Sequence, residues 1–401
     1  MSAAGSVTVA GATALAATAA GFCALALAMG IGRFAYTPML PPMLEESGLS
    51  LSAAGLIASA NFLGYLIGAL LATRAAFARR RIAWLRIGMV LSVLTTAAMA
   101  LDVGAAGWGA VRLLSGIASA FVLVFSSTIV LELGAREGRP MLGTLLFAGV
   151  GVGIALSALL VFVGRDAGWG AAPLWWSLAA LSALLAIAPW RHLTLPAAPP
   201  RSGADAPHPA RDRRALVQLV VAYGCLGLGY VITATFIVVM ARELPDARLM
   251  EFWAWMVVGL AGAPSNWLWA RVAVRVGAYP AMVAGYVLQA IGVLLVAFGQ
   301  GPATLLLGAA LLGSTLMAIT ALGLTAARVL APQQPERAIA HMTVAFSVGQ
   351  IVGPALGGWL AERTGSFASP SWMAAAVLLT GAALTAMAAR TRVQPTGATA
   401  Y

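Results

Sequence analysis

Apolar runs of about twenty residues, the length a helix needs to cross a bilayer's hydrocarbon, alternate with short polar gaps from near residue 14 to near residue 390. Twelve runs fall at approximately 14–40, 52–73, 83–102, 108–132, 141–163, 172–190, 215–240, 250–270, 278–298, 303–327, 339–361 and 371–389. The gaps carry turn punctuation such as PPMLEESG, DVGAAG, GRDAGWG, RELPD, FGQGP and APQQPER. This pattern predicts an all-α membrane protein of twelve spans, numbered 1 to 12 here in chain order.

Composition agrees. Of the 401 residues 61% are hydrophobic and 9% charged, with a mean hydropathy of +0.91; a soluble domain carries roughly 25% charged residues. Cys23 and Cys225 fall inside apolar runs and read as small buried hydrophobes, with no spacing for a disulfide or a metal. The first twenty residues hold no basic residue, so the first run is expected to be a retained helix rather than a cleaved signal.

The charge pattern sets an orientation. The net charge is +11 and every basic residue is an arginine. Eighteen of the 24 arginines lie in or at the edge of alternate gaps and beyond the C-terminal end of the span series; Arg165, Arg242, Arg248 and Arg363 lie in the other gaps. Positive loop charge marks the cytoplasmic side, so both termini are expected there. Charge scattered over many short loops is no nucleic-acid surface. The longest gap, 191–214, is rich in Pro, Ala and Arg and reads as a cytoplasmic linker between residues 1–190 and 215–401.

The two parts echo each other at a shift of 197: Gly30 and Gly227, Gly32 and Gly229, Arg74 and Arg271, Gly116 and Gly313. Two six-helix repeats around a central cavity describe the major facilitator architecture, and the residues resemble that superfamily over essentially the whole chain. WGAVRLLSGIASA, with Arg112 four residues before Gly116, is similar to its span 4 signature. GQIVGPALGG, from Gly349 to Gly358, resembles a Gly-Pro signature noted on span 5 of exporters, but span 5 here has GVGVG without the proline. GIGRFAYTPMLPPM followed by ANFLGYLIGALLA looks like the poorly characterised bacterial YbfB/YjiJ-type branch. The resemblance implies a secondary transporter working by alternating access. The superfamily's Asp-Arg pair after span 2 is incomplete, since Thr73 precedes Arg74 and Ala270 precedes Arg271; Glu132 is then the expected partner of Arg74.

Candidate chemistry begins with Arg33 and Arg112, the two arginines inside spans, each costing at least ~2.5 kcal/mol to embed. Arg33 either binds substrate or pairs with Glu45 or Glu46; Arg112 either binds substrate or pairs with Asp102 or Asp166. Two cations without an embedded carboxylate favour an anionic substrate. Tyr36, three residues after Arg33, is expected on its face. Asn61 and Tyr65 form an inward polar stripe, and Tyr223, Tyr230, Asn266, Gln289 and Gln350 are further candidates. Tyr230 occupies the repeat position of Arg33. His341 reads as a solvated residue at a helix start. Gly64 and Gly68, Gly149 and Gly153, and Gly349, Gly353 and Gly357 are spaced for close helix packing; Pro354 adds a kink. If spans 2, 5 and 11 form the seam between the halves, those glycines would let them rock.

No catalytic motif, cofactor-binding loop or metal spacing is present, so no enzyme and no cofactor are expected. All thirteen acidic residues lie in loops or near helix ends, leaving no embedded proton carrier; a coupling proton would travel with the substrate. The reading is a monomeric secondary transporter of a small solute, an organic anion if Arg33 and Arg112 share a pocket. Efflux of apolar or cationic compounds, suggested by Trp253, Trp255, Trp267 and Trp269, and a receptor or scaffold without transport remain alternatives.

Overall fold

The computed structural model describes residues 2–139, 141–194 and 213–391; Arg201, Arg211, Arg392 and most of the expected linker lie outside the described residues. Among the described residues the regular structure is all helical, and eleven helices are long and apolar enough to cross a membrane, so the chain is a multi-pass membrane protein. The twelfth expected segment, span 8, is divided into Ala247–Gly262 and Ser265–Val276, each too short to cross alone. The break falls at Pro264, whose ring nitrogen offers no helical hydrogen bond, just after Gly262.

Span 1 is broken as well, into Ser2–Leu25, a wide π turn at Ala26–Ile31 and Tyr36–Ser47. Gly32 N–H donates to Leu27 C=O (2.8 Å) and Phe34 N–H to Met29 C=O (3.1 Å), five residues back. Pro38 stands in the first turn of Tyr36–Ser47, where a missing donor is tolerated, and Pro41 and Pro42 lie inside that helix. Spans 2 to 7 are Leu51–Ala72, Arg81–Ala98, Gly104–Arg136, Met141–Asp166, Ala171–His192 and Arg213–Ala241. Spans 9 to 12 are Ala278–Phe298, Pro302–Leu330, Pro335–Thr364 and Ala368–Thr391. Span 11 runs unbroken through Pro354. Spans alternate in direction, so residues 192 and 213 flank the linker at one end of the bundle, the linker end; Ser47 and Ala241 lie at the far end.

The spaced glycines pack inside each set of six spans. A side chain on Gly64 or Gly68 would strike span 4 at Leu113 or Ile117; one on Gly149 or Gly153 would strike span 1 at Phe22 or Ala26. Gly349, Gly353 and Gly357 press span 11 onto span 7, at Gly224, Leu228 and Ile232. These glycines do not form the seam that would make them a rocking surface. Other small residues do: Gly55 meets the Pro354 carbonyl, Gly358 meets Leu51, and Gly151 meets Gly259 and Ala263.

Those seam contacts lie at mid-depth or towards the far end, and polar ties reinforce them. Thr37 Oγ1 donates to Ala234 C=O (2.8 Å), Ser52 N–H donates to Glu362 (2.8 Å), and Glu45 pairs with Arg242 and with Arg165. Thr37 and Ala234, like Glu45 and Arg242, are 197 residues apart. Residues that touch their own repeat positions must lie beside the axis relating the repeats, so spans 1 and 7 flank that axis. At the linker end a cleft of about 480 Å³ separates spans 5 and 8, lined by Met141, Thr144, Trp267, Arg271 and Arg275.

Candidate functional site

The break in span 1 leaves carbonyls without helical donors, which in an apolar interior must find others. Arg112 supplies them. Its Nη1 donates to Gly32 C=O (2.7 Å) and its Nη2 to Arg33 C=O (2.6 Å), while Ser115, one turn on, also donates to Gly32 C=O (2.8 Å). Asn61 Nδ2 fixes the backbone beneath by donating to Arg112 C=O (2.9 Å). Gly116 permits this approach, because a side chain there would collide with the Asn61 carbonyl. Arg112 thus splints the broken helix and does not pair with Asp102 or Asp166.

Arg33 is placed differently. It is 4% exposed, with its guanidinium carbon 4.1 Å from the Tyr65 ring centre, 4.7 Å from Phe62 and 5.6 Å from Phe34. Its Nη2 donates to Gln350 Oε1 of span 11 (2.9 Å). Gln350 Nε2 in turn donates to the Tyr230 hydroxyl of span 7, and Tyr230 stacks on Phe346 with centroids 5.8 Å apart. Among the described residues Arg33 has no carboxylate partner, and its Nε has no hydrogen-bond acceptor. Glu45 belongs to the far-end cluster instead, and Glu46 accepts from Ala171 N–H (2.8 Å).

Arg33 and Arg112 line one cavity with Tyr36, Thr37, Phe62 and Thr235; it holds about 20 Å³, room for roughly one water. Tyr36 is not on Arg33's helical face, because residues 32–35 form a turn and the three-residue spacing fails there. Its ring lies 5.1 Å from the Arg112 guanidinium and its hydroxyl donates to Ala54 C=O (3.0 Å).

Of the other candidates, Tyr65 and Tyr230 join the Arg33 cluster and Tyr223 donates to Thr320 C=O (3.2 Å). Gln289 is fully buried on span 9, packed on spans 10 and 12, with both amide atoms unpartnered and no bond to the cluster. Asn266 opens the second piece of span 8, with its Oδ1 unpartnered. Arg74 precedes the short helix Ala75–Ala78, and Glu132 is bound by Arg81 (2.9 and 3.1 Å), not Arg74. The sequence pattern did not single out Phe62, Ser115, Thr37 or Phe346. Phe62 adjoins Asn61 and Ser115 follows Arg112 by three, but only the broken helix turns those spacings into contacts.

Two solved structures share the fold. One is the nucleoside transporter NupG, with a TM-score of 0.68, 15% identity and coverage of 96% of this chain and 100% of that one. The other is a mutant of NupG, with a TM-score of 0.75, 15% identity and coverage of 94% of this chain and 99% of that one. At that identity the likeness concerns the fold. No curated protein matches the chain. The model of the family described as "Uncharacterised MFS-type transporter YbfB" matches residues 25–386, and the chain belongs to that family.

Proposed function

We propose that this secondary transporter carries a small organic anion across a bacterial inner membrane by alternating access, with Arg33 recognising the anion. The observation that carries the reading is a buried guanidinium held by one amide and, among the described residues, no counter-ion. A buried cation is costly unless paired, so such a site favours a partner that brings the opposite charge. Arg112, whose terminal nitrogens hold two backbone carbonyls, sets the shape of span 1 and contributes field rather than contact.

Residues 1–190 and 215–401 act as two six-helix bodies joined by the linker 191–214. Ties at the far end, and a cleft at the linker end, support a state closed on the first side. The arginine bias makes the linker end cytoplasmic. The site is assembled within one chain, which favours a monomer, and the anion itself carries any coupled proton. Efflux of cationic compounds is disfavoured by the fixed central charge. Of the four tryptophans behind that alternative, Trp253 is exposed, Trp267 lines the linker-end cleft and Trp269 packs into spans 9 and 10; Trp255 reaches the cluster, 6.5 Å from Phe34.

Uptake by proteoliposomes tests the reading with a panel of monocarboxylates, dicarboxylates, a nucleoside (for comparison with NupG) and organic cations. Saturable uptake of an anion that Arg33→Ala and Arg33→Lys abolish supports it. Cation or nucleoside uptake that both variants retain in full overturns it.

A further inference from the structure

The rings of Tyr65 and Phe62 lie close to the guanidinium carbon of Arg33, and Nη2, which binds Gln350 Oε1, forms one edge of the group with the neighbouring Nε. That edge is the fork that a carboxylate fills with both oxygens. An amide has a single oxygen, and here it satisfies Nη2 and leaves Nε without an acceptor. The fork is half filled, in a cavity with room for about one water.

What holds Gln350 is equally specific. Its Nε2 donates to Tyr230, which fixes the amide so that the oxygen faces the cation. Gln350 belongs to span 11 and Tyr230 to span 7, whereas Arg33, Phe62 and Tyr65 belong to spans 1 and 2. The contact therefore bridges the first six spans and the last six. Unlike the backbone carbonyls that occupy Arg112, a glutamine side chain can swing away by rotamer change.

We infer that Gln350, held by Tyr230, is a built-in stand-in for the substrate, and that the group it stands in for is the carboxylate of a monoanion with an apolar, preferably aromatic, body. The inference rests on the anion reading above and narrows it. One cation with a free fork matches one carboxylate. A second carboxylate would meet only Arg112, whose terminal nitrogens already hold the Gly32 and Arg33 carbonyls, so a dianion is expected to bind more weakly. The surrounding rings match an apolar body, and the hydroxyls beside them, those of Tyr36, Thr37 and Thr235, already donate to backbone carbonyls rather than to a sugar. Entry of the carboxylate fills Nε and Nη2 together and displaces Gln350, which breaks a bond between the two sets of spans. Substrate binding is thereby linked to their separation.

The test uses the full-length protein in detergent, with benzoate, phenylacetate and hexanoate as monoanions, benzamide as the amide of the same body, and benzene-1,4-dicarboxylate as the dianion. Binding is read by calorimetry and by the ligand-induced rise in unfolding temperature. A monoanion is expected to bind the wild-type protein at least tenfold more tightly than benzamide or the dianion. Gln350→Leu removes the competitor and is expected to tighten monoanion binding about tenfold. Gln350→Glu supplies a permanent carboxylate, so it is expected to raise the unliganded unfolding temperature and abolish the ligand-induced rise. The two variants move in opposite directions, and the second stands if the first fails to fold. Monoanion binding that Arg33→Gln abolishes, but that neither Gln350 variant changes, overturns the stand-in while leaving the anion reading intact. A wild-type protein that binds the dianion but none of the three monoanions overturns the monoanion inference alone, and one that binds no anion overturns both.

Discussion

Arg33 and Arg112 are both buried arginines, of one chemistry and lining one cavity, yet they are bound in opposite ways. Arg112 grips the backbone of span 1 through both terminal nitrogens. Arg33 holds a single removable amide from span 11. Backbone carbonyls cannot leave without unfolding the helix that carries them; a side-chain amide can. The difference separates an arginine that holds the backbone from one whose partner can leave, and neither burial nor charge alone would have told them apart.

The largest effect that sharpens this contrast is expected at Arg112. Replacing it by Ala leaves the Arg33 carbonyl without a donor and takes the charged donor from the Gly32 carbonyl, which keeps Ser115; at about 1–3 kcal/mol for each loss, a fall of about 4 kcal/mol in unfolding free energy is expected with no ligand present. Arg112→Lys, with one donor head in place of a fork, should recover part of that loss. Unfolding unchanged in Arg112→Ala would erase the distinction. Next comes Gly64→Val, which forces a side chain into the span 4 backbone at Leu113. Overpacking there should cost about 3 kcal/mol of stability.

The same substitution at Gly55 meets Pro354 across the seam instead. It should leave each set of spans folded and favour separation at the far end, about tenfold. Thiol labelling of Thr37→Cys, with Cys23 and Cys225 replaced by Ala, measures it; equal labelling with and without the Gly55 change would contradict the placement of the seam. The smallest effect is expected for Glu45→Gln. Glu45 pairs with Arg165 and Arg242, but its side chain is more than a third exposed, so the loss is held to about 1 kcal/mol. The same labelling should rise about fivefold, and less in high salt.

The sequence pattern carried the architecture further than the site. Span length, the alternation of arginines and the 197-residue shift all follow from local composition, which the bilayer constrains strongly. The broken span 8 was less legible, since its apolar content is continuous and only Pro264 marks the division. Arg33 and Arg112 were legible as embedded charges because hydrocarbon makes any such residue costly. Their partners were not. Gln350 lies 317 residues from Arg33 in the chain, and the donors that Arg112 supplies answer to a π turn that no spacing encodes. Tyr36 shows the same limit, since helical spacing assigns it to Arg33 and the turn at 32–35 gives it to Arg112. Glu132 was given to Arg74 by nearness to the helix end, whereas the short helix Ala75–Ala78 brings Arg81 to it.

The account's central claim is that Arg33 is the exchangeable cation, kept at a cost to stability for the sake of the anion. Arg33→Gln, reconstituted beside the wild-type protein and assayed for uptake of whichever monocarboxylate the wild type takes up fastest, tests it most directly. Removing a buried charge that has no counter-ion should leave the unfolding temperature equal to the wild type's or higher, while uptake falls to the rate of empty vesicles. Wild-type uptake by the Arg33→Gln protein would contradict the claim.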